Sequence, residues 1–364
     1  MVIVNKLKLD HLFHLTDCTG IIQHCKYSVP DLATGYTTDD NARALIVAAM
    51  LYNKNNDKKI LSLIIRYLSF LHFGQNNRGR WKNFMNYQRE FIEAEGSEDS
   101  FGRSLWSLGY LQTLENLPIG IIDLNKHLIK QALPNIEKLS AYRAQAYSII
   151  GLSYLCTSYD KALCKKSIEN TTNKLLNIYK KNKSDGWLWF EDIVTYSNGI
   201  LPYALMKAYQ IVPKESYLKA SLEILCFLDY LLMQKGYLNL IGCNGWAEKG
   251  KPIAQFDQQP IDAADMVLAY SEAYKITGDI QYLQKAEISY KWFTGLNYHS
   301  ASLINADTGG CFDGLTKSGV NLNQGAESLF AYMISYLTAE NMGIIGSDIQ
   351  EEDTNKLDTF EEAV

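Results

Sequence analysis

Two kinds of apolar segment alternate along the chain. In 42–52 nearly every side of the segment is apolar, the pattern of a helix buried all round. After the polar break Asn53-Lys54-Asn55-Asn56-Asp57, segment 59–73 mixes apolar and charged residues at helical spacing, as a surface helix does. The same buried type returns at 100–114, 142–154, 197–209, 260–274 and 325–340, and the amphipathic type at 123–140, 161–181, 214–233 and 280–296, with a short amphipathic stretch at 7–15. The repeat is roughly 45 to 65 residues, longer than that of common helical solenoids. This predicts an all-α (α/α)6 toroid of six inner and about six outer helices, with small strand-like hairpins in the active-face loops. An open superhelix is the alternative, but its connections should all be short.

Connection lengths argue for the closed form. Those from a buried helix to the next amphipathic one are a few residues, whereas those entering a buried helix are long in five of six cases and hold most of the Trp, Gly and His. Long ordered loops are usually functional. Because they all precede inner helices they share one face, the expected active face.

Composition narrows the class. Apolar content of 47% with 21% charged residues is that of a soluble globular protein, and no apolar run is long enough to span a membrane. The expected organisation is one domain over 1–345 and an acidic, aromatic-poor tail over 346–364, which accounts for the net charge of −5. The absence of a basic stripe argues against nucleic acid, and the N-terminal residues lack a secretory pattern, so a cytoplasmic location is expected. Seven scattered cysteines read as reduced core thiols, and no zinc-ligand spacing, cofactor fingerprint or P-loop occurs, so neither metal nor cofactor is expected.

Acids gather at the entrances of the buried helices. Asp39-Asp40 opens the first, Glu98-Asp99 the second, Glu191-Asp192 precedes the fourth, and Asp262 and Asp265 lie on the fifth. Each pair has a plain reading as a helix cap, and capping by at least one of Asp39 and Asp40 is expected. A toroid, however, also brings these entrances to one funnel. Glycosidic cleavage needs one carboxylic acid to protonate the leaving oxygen and one carboxylate to activate water or attack carbon. The catalytic candidates are Asp40, Asp99, Glu191 and Asp262. Candidate substrate contacts are His24, Tyr36, Asp39, Arg43, Arg103, Trp189, Tyr196, Asn198, Gln258, Gln259, Asp313, Gln324 and Glu327, with Trp81, Trp187, Trp246 and Phe312 as further aromatic faces for sugar rings.

The stretches Leu-Thr-Asp-Cys-Thr-Gly-Ile-Ile-Gln-His ending at His24 and Gly-Tyr-Thr-Thr-Asp-Asp-Asn-Ala-Arg-Ala starting at Gly35 are similar to the six-hairpin glycosidase superfamily. More narrowly, the chain resembles the glycosidase-like domains found near or fused to bacterial group 1 glycosyltransferases. The similarity continues through Glu98 to Trp106, Phe190 to Pro202, Asp257 to Ala263 and Gly325 to Ser328. The resemblance implies a toroid and a carbohydrate substrate; it carries over no catalytic assignment. The expected function is therefore a glycoside hydrolase acting on an oligosaccharide, a mannoside among the candidates. The alternatives are a sugar epimerase or isomerase of the same toroid class, for which no His stands at an inner-helix start, and a non-catalytic carbohydrate-binding module. A toroidal terpenoid cyclase is disfavoured by the lack of a DDxxD-type cluster.

Overall fold

The computed structural model describes residues 6–346, so the acidic tail expected from 346 onward lies outside them apart from Gly346. Six long helices form the inner ring: α2 (Thr38–Asn55), α4 (Glu98–Leu111), α6 (Tyr142–Leu155), α8 (Ile200–Ile211), α10 (Pro260–Thr277) and α12 (Ala326–Asn341). Each packs on the next, and α12 packs back on α2, which closes the ring and excludes an open superhelix. Outside lie α3 (Lys58–Gly74), α5 (Ile119–Ala132), α7 (Lys161–Asn182), α9 (Glu215–Leu232) and α11 (Ile280–Lys291), with the short α1 (Asp10–Leu15) in the sixth place. The fold is the (α/α)6 toroid read from the sequence.

The burial pattern gives the reason. On α2, Ala42, Ala44, Leu45, Ile46, Val47, Ala48 and Ala49 are all buried, so the helix has no solvent face. On α3 the buried residues are Ile60, Leu63, Ile64, Tyr67, Leu68, Phe70, Leu71 and Gly74, one face that recurs mostly at three- and four-residue spacing. Each large apolar side chain among them contributes roughly 1.5–3 kcal/mol on burial. Helices α4 and α6 approach closely because glycines face each other. A Cβ on Gly109 would sit 2.3 Å from the Gly151 carbonyl oxygen, and one on Gly151 would sit 2.6 Å from that of Leu105.

Connections on one side are brief, as at 56–57, 156–160, 212–214 and 278–279, and on the other long, as at 75–97, 233–259 and 292–325. The long ones carry four two-stranded antiparallel sheets. β1 (Cys25–Lys26) pairs with β2 (Val29–Pro30), β3 (Tyr36–Thr37) with β4 (Phe84–Met85), β5 (Ile193–Val194) with β6 (Ala247–Glu248), and β7 (Gly314–Thr316) with β8 (Gly319–Asn321). Two of these, β3–β4 and β5–β6, tie one loop to the next. The rim of the funnel is thus stitched across neighbouring inner helices. The cysteines are free thiols; four are buried as expected, but Cys18 and Cys226 are exposed. Among the described residues no helix is long and apolar enough to cross a membrane.

Candidate active site

The inner helices face the barrel axis with one stripe each, and the stripes fall in register. The second residues of α2, α4, α6, α10 and α12 are Asp39, Asp99, Arg143, Ile261 and Glu327; the sixth are Arg43, Arg103, Tyr147, Asp265 and Ala331. Spacing of four, then three, then four residues keeps a helix face on one line. The ninth residues of α2, α4, α10 and α12 are Ile46, Trp106, Leu268 and Ile334, an apolar layer below the polar ones. A small cavity of about 30 Å³ lies above this floor, lined by the sixth-residue layer together with Ile261, Ala264 and Glu327.

Neither Asp39 nor Asp40 caps α2, contrary to expectation. Thr37 does so, its hydroxyl accepting from the Asp40 amide at 3.0 Å, and Ser97 does the same for α4 through the Ser100 amide at 3.1 Å. The acids are thereby freed for other partners. Asp40 accepts from the Thr37 hydroxyl at 2.6 Å and from Arg43 Nη1 at 2.9 Å, and Arg43 Nη2 donates to Glu327 on α12 at 2.7 Å. Asp39 accepts from Arg103 Nη1 at 3.0 Å; Arg103 Nη2 donates to the Tyr147 hydroxyl at 2.9 Å; and that hydroxyl bonds Ser197 at 2.7 Å. Ser197 donates to Asp265 Oδ2. Ser197 holds φ +51°, a left-handed conformation uncommon for a residue with a side chain, in the loop just before α8. A Cβ on Gly199 would sit 2.6 Å from the Asp265 carbonyl, so the glycine lets this loop lie against α10.

Adjacent to the cavity is an open shelf lined by Asp99, Ser140, Ala141, Tyr142, Arg143, Glu191 and Tyr196. The Tyr196 hydroxyl donates to Asp99 Oδ2 at 2.6 Å, and the Arg143 guanidinium lies 4.4 Å from the centre of the Tyr196 ring. Arg143 also donates to Thr195 at 2.9 Å and Asn198 at 3.3 Å, and stands 3.7 Å from Glu191.

Burial decides the electrostatics. It pushes Asp265 up to about 6, against the downward pull of the Ser197 hydrogen bond and of Arg103 and Arg43. It pushes Asp262 up to about 8, helped by the neighbouring Asp265 charge; Asp262 Oδ2 is buried without a hydrogen-bond partner. Asp40 and Glu191 are also raised by burial, each opposed by its arginine.

The structure separates the sequence candidates into three groups. Arg43, Arg103 and Glu327 line the cavity, with Asp39 bonded to Arg103 outside the lining, and Asp99, Glu191, Tyr196 and, behind Arg143, Asn198 meet at the shelf. Asp40 and Asp262 are the third residues of their helices, rotated about 100° from the axial stripe, and neither lines the cavity; each is buried behind it. Of the remaining candidate contacts, Tyr36, Trp189, Gln258, Gln324 and Asp313 are engaged in packing or backbone-fastening contacts. Tyr36 is buried, donates to Asp17 and stacks on Tyr87. Trp189 is fully buried against Phe190 and Phe227, and Trp81 is buried beside Phe101. Gln258 is buried with its backbone paired to Leu315, and the Gln324 carbonyl bonds His11. Asp313 accepts from the Gly325 amide at 2.7 Å, fastening the entrance to α12. His24 is exposed at the start of β1, and Gln259 immediately precedes α10 without a side-chain cap bond.

Three residues of the cavity were not singled out from the sequence as site residues: Asp265, Tyr147 and Trp106. The axial register would have found all three, since they occupy the same helix positions as Arg43, Arg103 and Ile46. Among the described residues no group of three His, Cys, Asp or Glu side chains forms a metal-binding cluster.

Solved structures share the same toroid. The chain is similar to a sugar epimerase from a ruminal bacterium (TM-score 0.73, 13% identity, 94% of this chain and 96% of that one). It is similar to cellobiose 2-epimerase from Bacillus thermoamylovorans (TM-score 0.72, 13% identity, 93% and 96%). It is also similar to a GH76 α-mannanase from Bacteroides thetaiotaomicron (TM-score 0.61, 11% identity, 85% and 87%). At these identities the likeness establishes the (α/α)6 toroid architecture and nothing finer. No protein-family model and no curated protein matches the chain.

Proposed function

We propose that the protein is a glycoside hydrolase in which Asp265 protonates the departing glycosidic oxygen and Glu327 is the partner carboxylate. One observation carries this reading. Asp265 and Glu327 line the same cavity, and their environments differ as an acid and a base require. Asp265 is buried with its pKa raised to about 6, and with Oδ2 held by Ser197 its Oδ1 is the oxygen that can carry the proton. Glu327 is held by Arg43 at 2.7 Å and has a side chain 43% exposed, so it is open to substrate.

In the reaction the proton passes from Asp265 to the glycosidic oxygen, and the C1–O bond breaks with its electron pair going to that oxygen. Water then adds to C1. Glu327 either takes the proton from that water or first bonds C1 itself, and the anomer released distinguishes these. Arg43 fixes Asp40 and Glu327 relative to each other, and Arg103 fixes Asp39 and the Tyr147 hydroxyl, each through its two terminal nitrogens.

A second reading, sugar epimerisation, is favoured by the overlay on epimerase structures along nearly the whole chain. Proton abstraction beside a carbonyl usually calls on a histidine. Here none lines the cavity or the shelf; His11 is bonded to the Gln324 carbonyl and His299 to that of Thr316. Incubation with neutral manno- and gluco-disaccharides, followed by product analysis, tests the choice. Hydrolysis yields two monosaccharides and is lost in Asp265→Asn and Glu327→Gln; an intact disaccharide with an inverted carbon would overturn it.

A further inference from the structure

The axial cavity, at about 30 Å³, has room for a water molecule or two and not for a sugar ring. The shelf beside it is of another size. It is open, about 310 Å³, and so within the roughly 300–1,000 Å³ of small-molecule sites. Asp99 on α4, Ser140 to Arg143 at the entrance to α6, and Glu191 with Tyr196 in the loop before α8 build it. The adjacent acids Glu98 and Asp99 divide the work there. Glu98 accepts from the Ala141 amide at 2.6 Å and the Ser140 amide at 2.8 Å, which fastens the entrance of α6. Asp99 gives Oδ2 to the Tyr196 hydroxyl, and its Oδ1 accepts no hydrogen bond from the described residues.

Other groups on the shelf are left open in the same way. The Glu191 carboxylate accepts no hydrogen bond from the described residues; its ion-pair partner, Arg143 Nη1, stands 3.7 Å away, beyond hydrogen-bond distance. The Arg143 side chain is only 8% exposed. Its Nε and Nη2 are taken by the Tyr196 carbonyl, Thr195 and Asn198, so Nη1 is the nitrogen with bonding capacity left. A hydroxyl beside this gap can accept from Nη1 and donate to Glu191 at once, bridging a distance too long for a direct bond. Asp99 Oδ1 can take a second hydroxyl, and Tyr142 and Tyr196 add ring surface. The lining carries two carboxylates against one guanidinium, so an anionic ligand meets a net negative surface.

We infer that the shelf is a sugar-binding subsite that seats one uncharged hexose residue, whose hydroxyls donate to Asp99 Oδ1 and Glu191 and accept from Arg143 Nη1. Asp99 and Glu191 are thereby contacts to hydroxyls and not the acid and base of the reaction. The assignment rests on the carbohydrate part of the function proposed above and is independent of bond cleavage.

The test titrates free D-mannose, D-glucose and D-glucuronate, none of which has a glycosidic bond, into the wild-type protein, Asp99→Asn and Glu191→Gln, with binding read by saturation-transfer NMR. At least one neutral hexose is expected to bind the wild type about tenfold or more tighter than it binds either variant, the loss set by a hydrogen bond to a charged group. D-Glucuronate is expected to bind the wild type at least about tenfold more weakly than that hexose. Both side chains are partly exposed, so these isosteric changes are expected to leave the thermal unfolding midpoint in place. A hexose affinity that neither variant changes, equal or tighter binding of glucuronate, or no binding of either hexose overturns the subsite. On a disaccharide that the wild type hydrolyses, Glu191→Gln is expected to raise KM about tenfold with kcat within about threefold. A fall in kcat of about 10² or more with KM unchanged would put Glu191 in the reacting pair and overturn its assignment here. If no disaccharide is cleaved, the cleavage step proposed above falls while the titration still decides the subsite.

Discussion

The two ends of the barrel axis are both polar and are built on the same helices, yet they differ in how their polar groups are organised. At the entrance, the sixth residues Arg43, Arg103, Tyr147 and Asp265 belong to two hydrogen-bonded runs, Glu327–Arg43–Asp40 and Asp39–Arg103–Tyr147–Ser197–Asp265. At the far end, the thirteenth residues of α2, α4, α6, α10 and α12 are Met50, Tyr110, Tyr154, Glu272 and Thr338. There Glu272 stands 3.5 Å from Lys207 and 3.9 Å from Lys275, a loose arrangement, and the Tyr154 and Tyr203 hydroxyls meet at 3.4 Å. The apolar ninth layer separates the two. The entrance has two advantages. Helix N-termini favour carboxylates by about 0.3–1 kcal/mol each, and the long connections supply groups the helices lack, such as Ser197 and Asn83. The far end has short connections and the carbonyl ends of the helices. A polar lining alone therefore does not mark the site; continuity of fixed, loop-supported hydrogen bonds does.

Substitution at matched positions sharpens this contrast most. Asp265→Asn and Glu327→Gln should each lower kcat by about 10²–10⁴, the range of a lost general acid or base, whereas Glu272→Gln at the far end should change it less than about threefold. Steady-state rates on a hydrolysed disaccharide check this, and equal losses at both ends would remove the distinction. A smaller loss, about ten- to hundredfold in kcat, is expected for Arg103→Lys. Lysine keeps the charge but cannot serve Asp39 and Tyr147 together through one planar fork.

The next expected effect is on stability rather than rate. Asp262 is raised in the folded protein to about 8 from an unfolded value near 4. A raised carboxyl binds its proton more tightly when folded, so its contribution is fully present below about pH 4 and is lost as pH rises through about 8. Asp262→Asn should flatten the decline between those limits and stabilise the protein at pH 9 by on the order of a few kcal/mol. Urea unfolding at pH 5 and pH 9 measures it; an unchanged pH dependence would show that Asp262 is not a buried carboxyl of this kind.

The smallest expected effect concerns the Ser197 link. The alkaline limb of kcat/KM should fall near the Asp265 value of about 6, because the acid must be protonated. Ser197 bonds the charged form and so holds that value down. Ser197→Ala should move the limb to higher pH by roughly one unit, since about 1.4 kcal/mol of hydrogen bonding corresponds to one pKa unit. A limb that stays in place would separate Ser197 from the proton donor.

The toroid was legible because its evidence is redundant. Each inner segment is apolar on all sides, each outer one on a single stripe, and long connections fall before inner helices five times in six. The gathering of acids at one face was legible for the same reason. What misled was treating every acid at a helix entrance as equivalent. Asp40 and Asp262 lie one residue past the axial stripe and do not line the cavity, while Glu327, the second residue of its helix, does, and Asp39, at the same position of α2, bonds the cavity's Arg103. Tyr147 was hidden in an apolar run, and Asp265 was passed over beside Asp262, although both sit four residues or one turn below a polar entrance. Two aromatic candidates are engaged in packing for a different reason. Trp189 and Tyr36 have no pattern that distinguishes a sugar platform from a loop anchor, because both uses need a large flat side chain near the same rim. Their burial is set by partners far away in sequence, Phe227 and Asp17 with Tyr87.

The claim that Asp265 and Glu327 act as a pair on a glycosidic bond is tested most directly by carbon-13 NMR of one reaction series. Neutral α- and β-linked manno- and gluco-disaccharides are incubated with the wild-type protein, Asp265→Asn and Glu327→Gln. The predicted result is new monosaccharide signals with one linkage, absent with either variant. Monosaccharide release that survives both substitutions, or a disaccharide whose linkage carbons are untouched while a ring carbon inverts, would contradict the assignment.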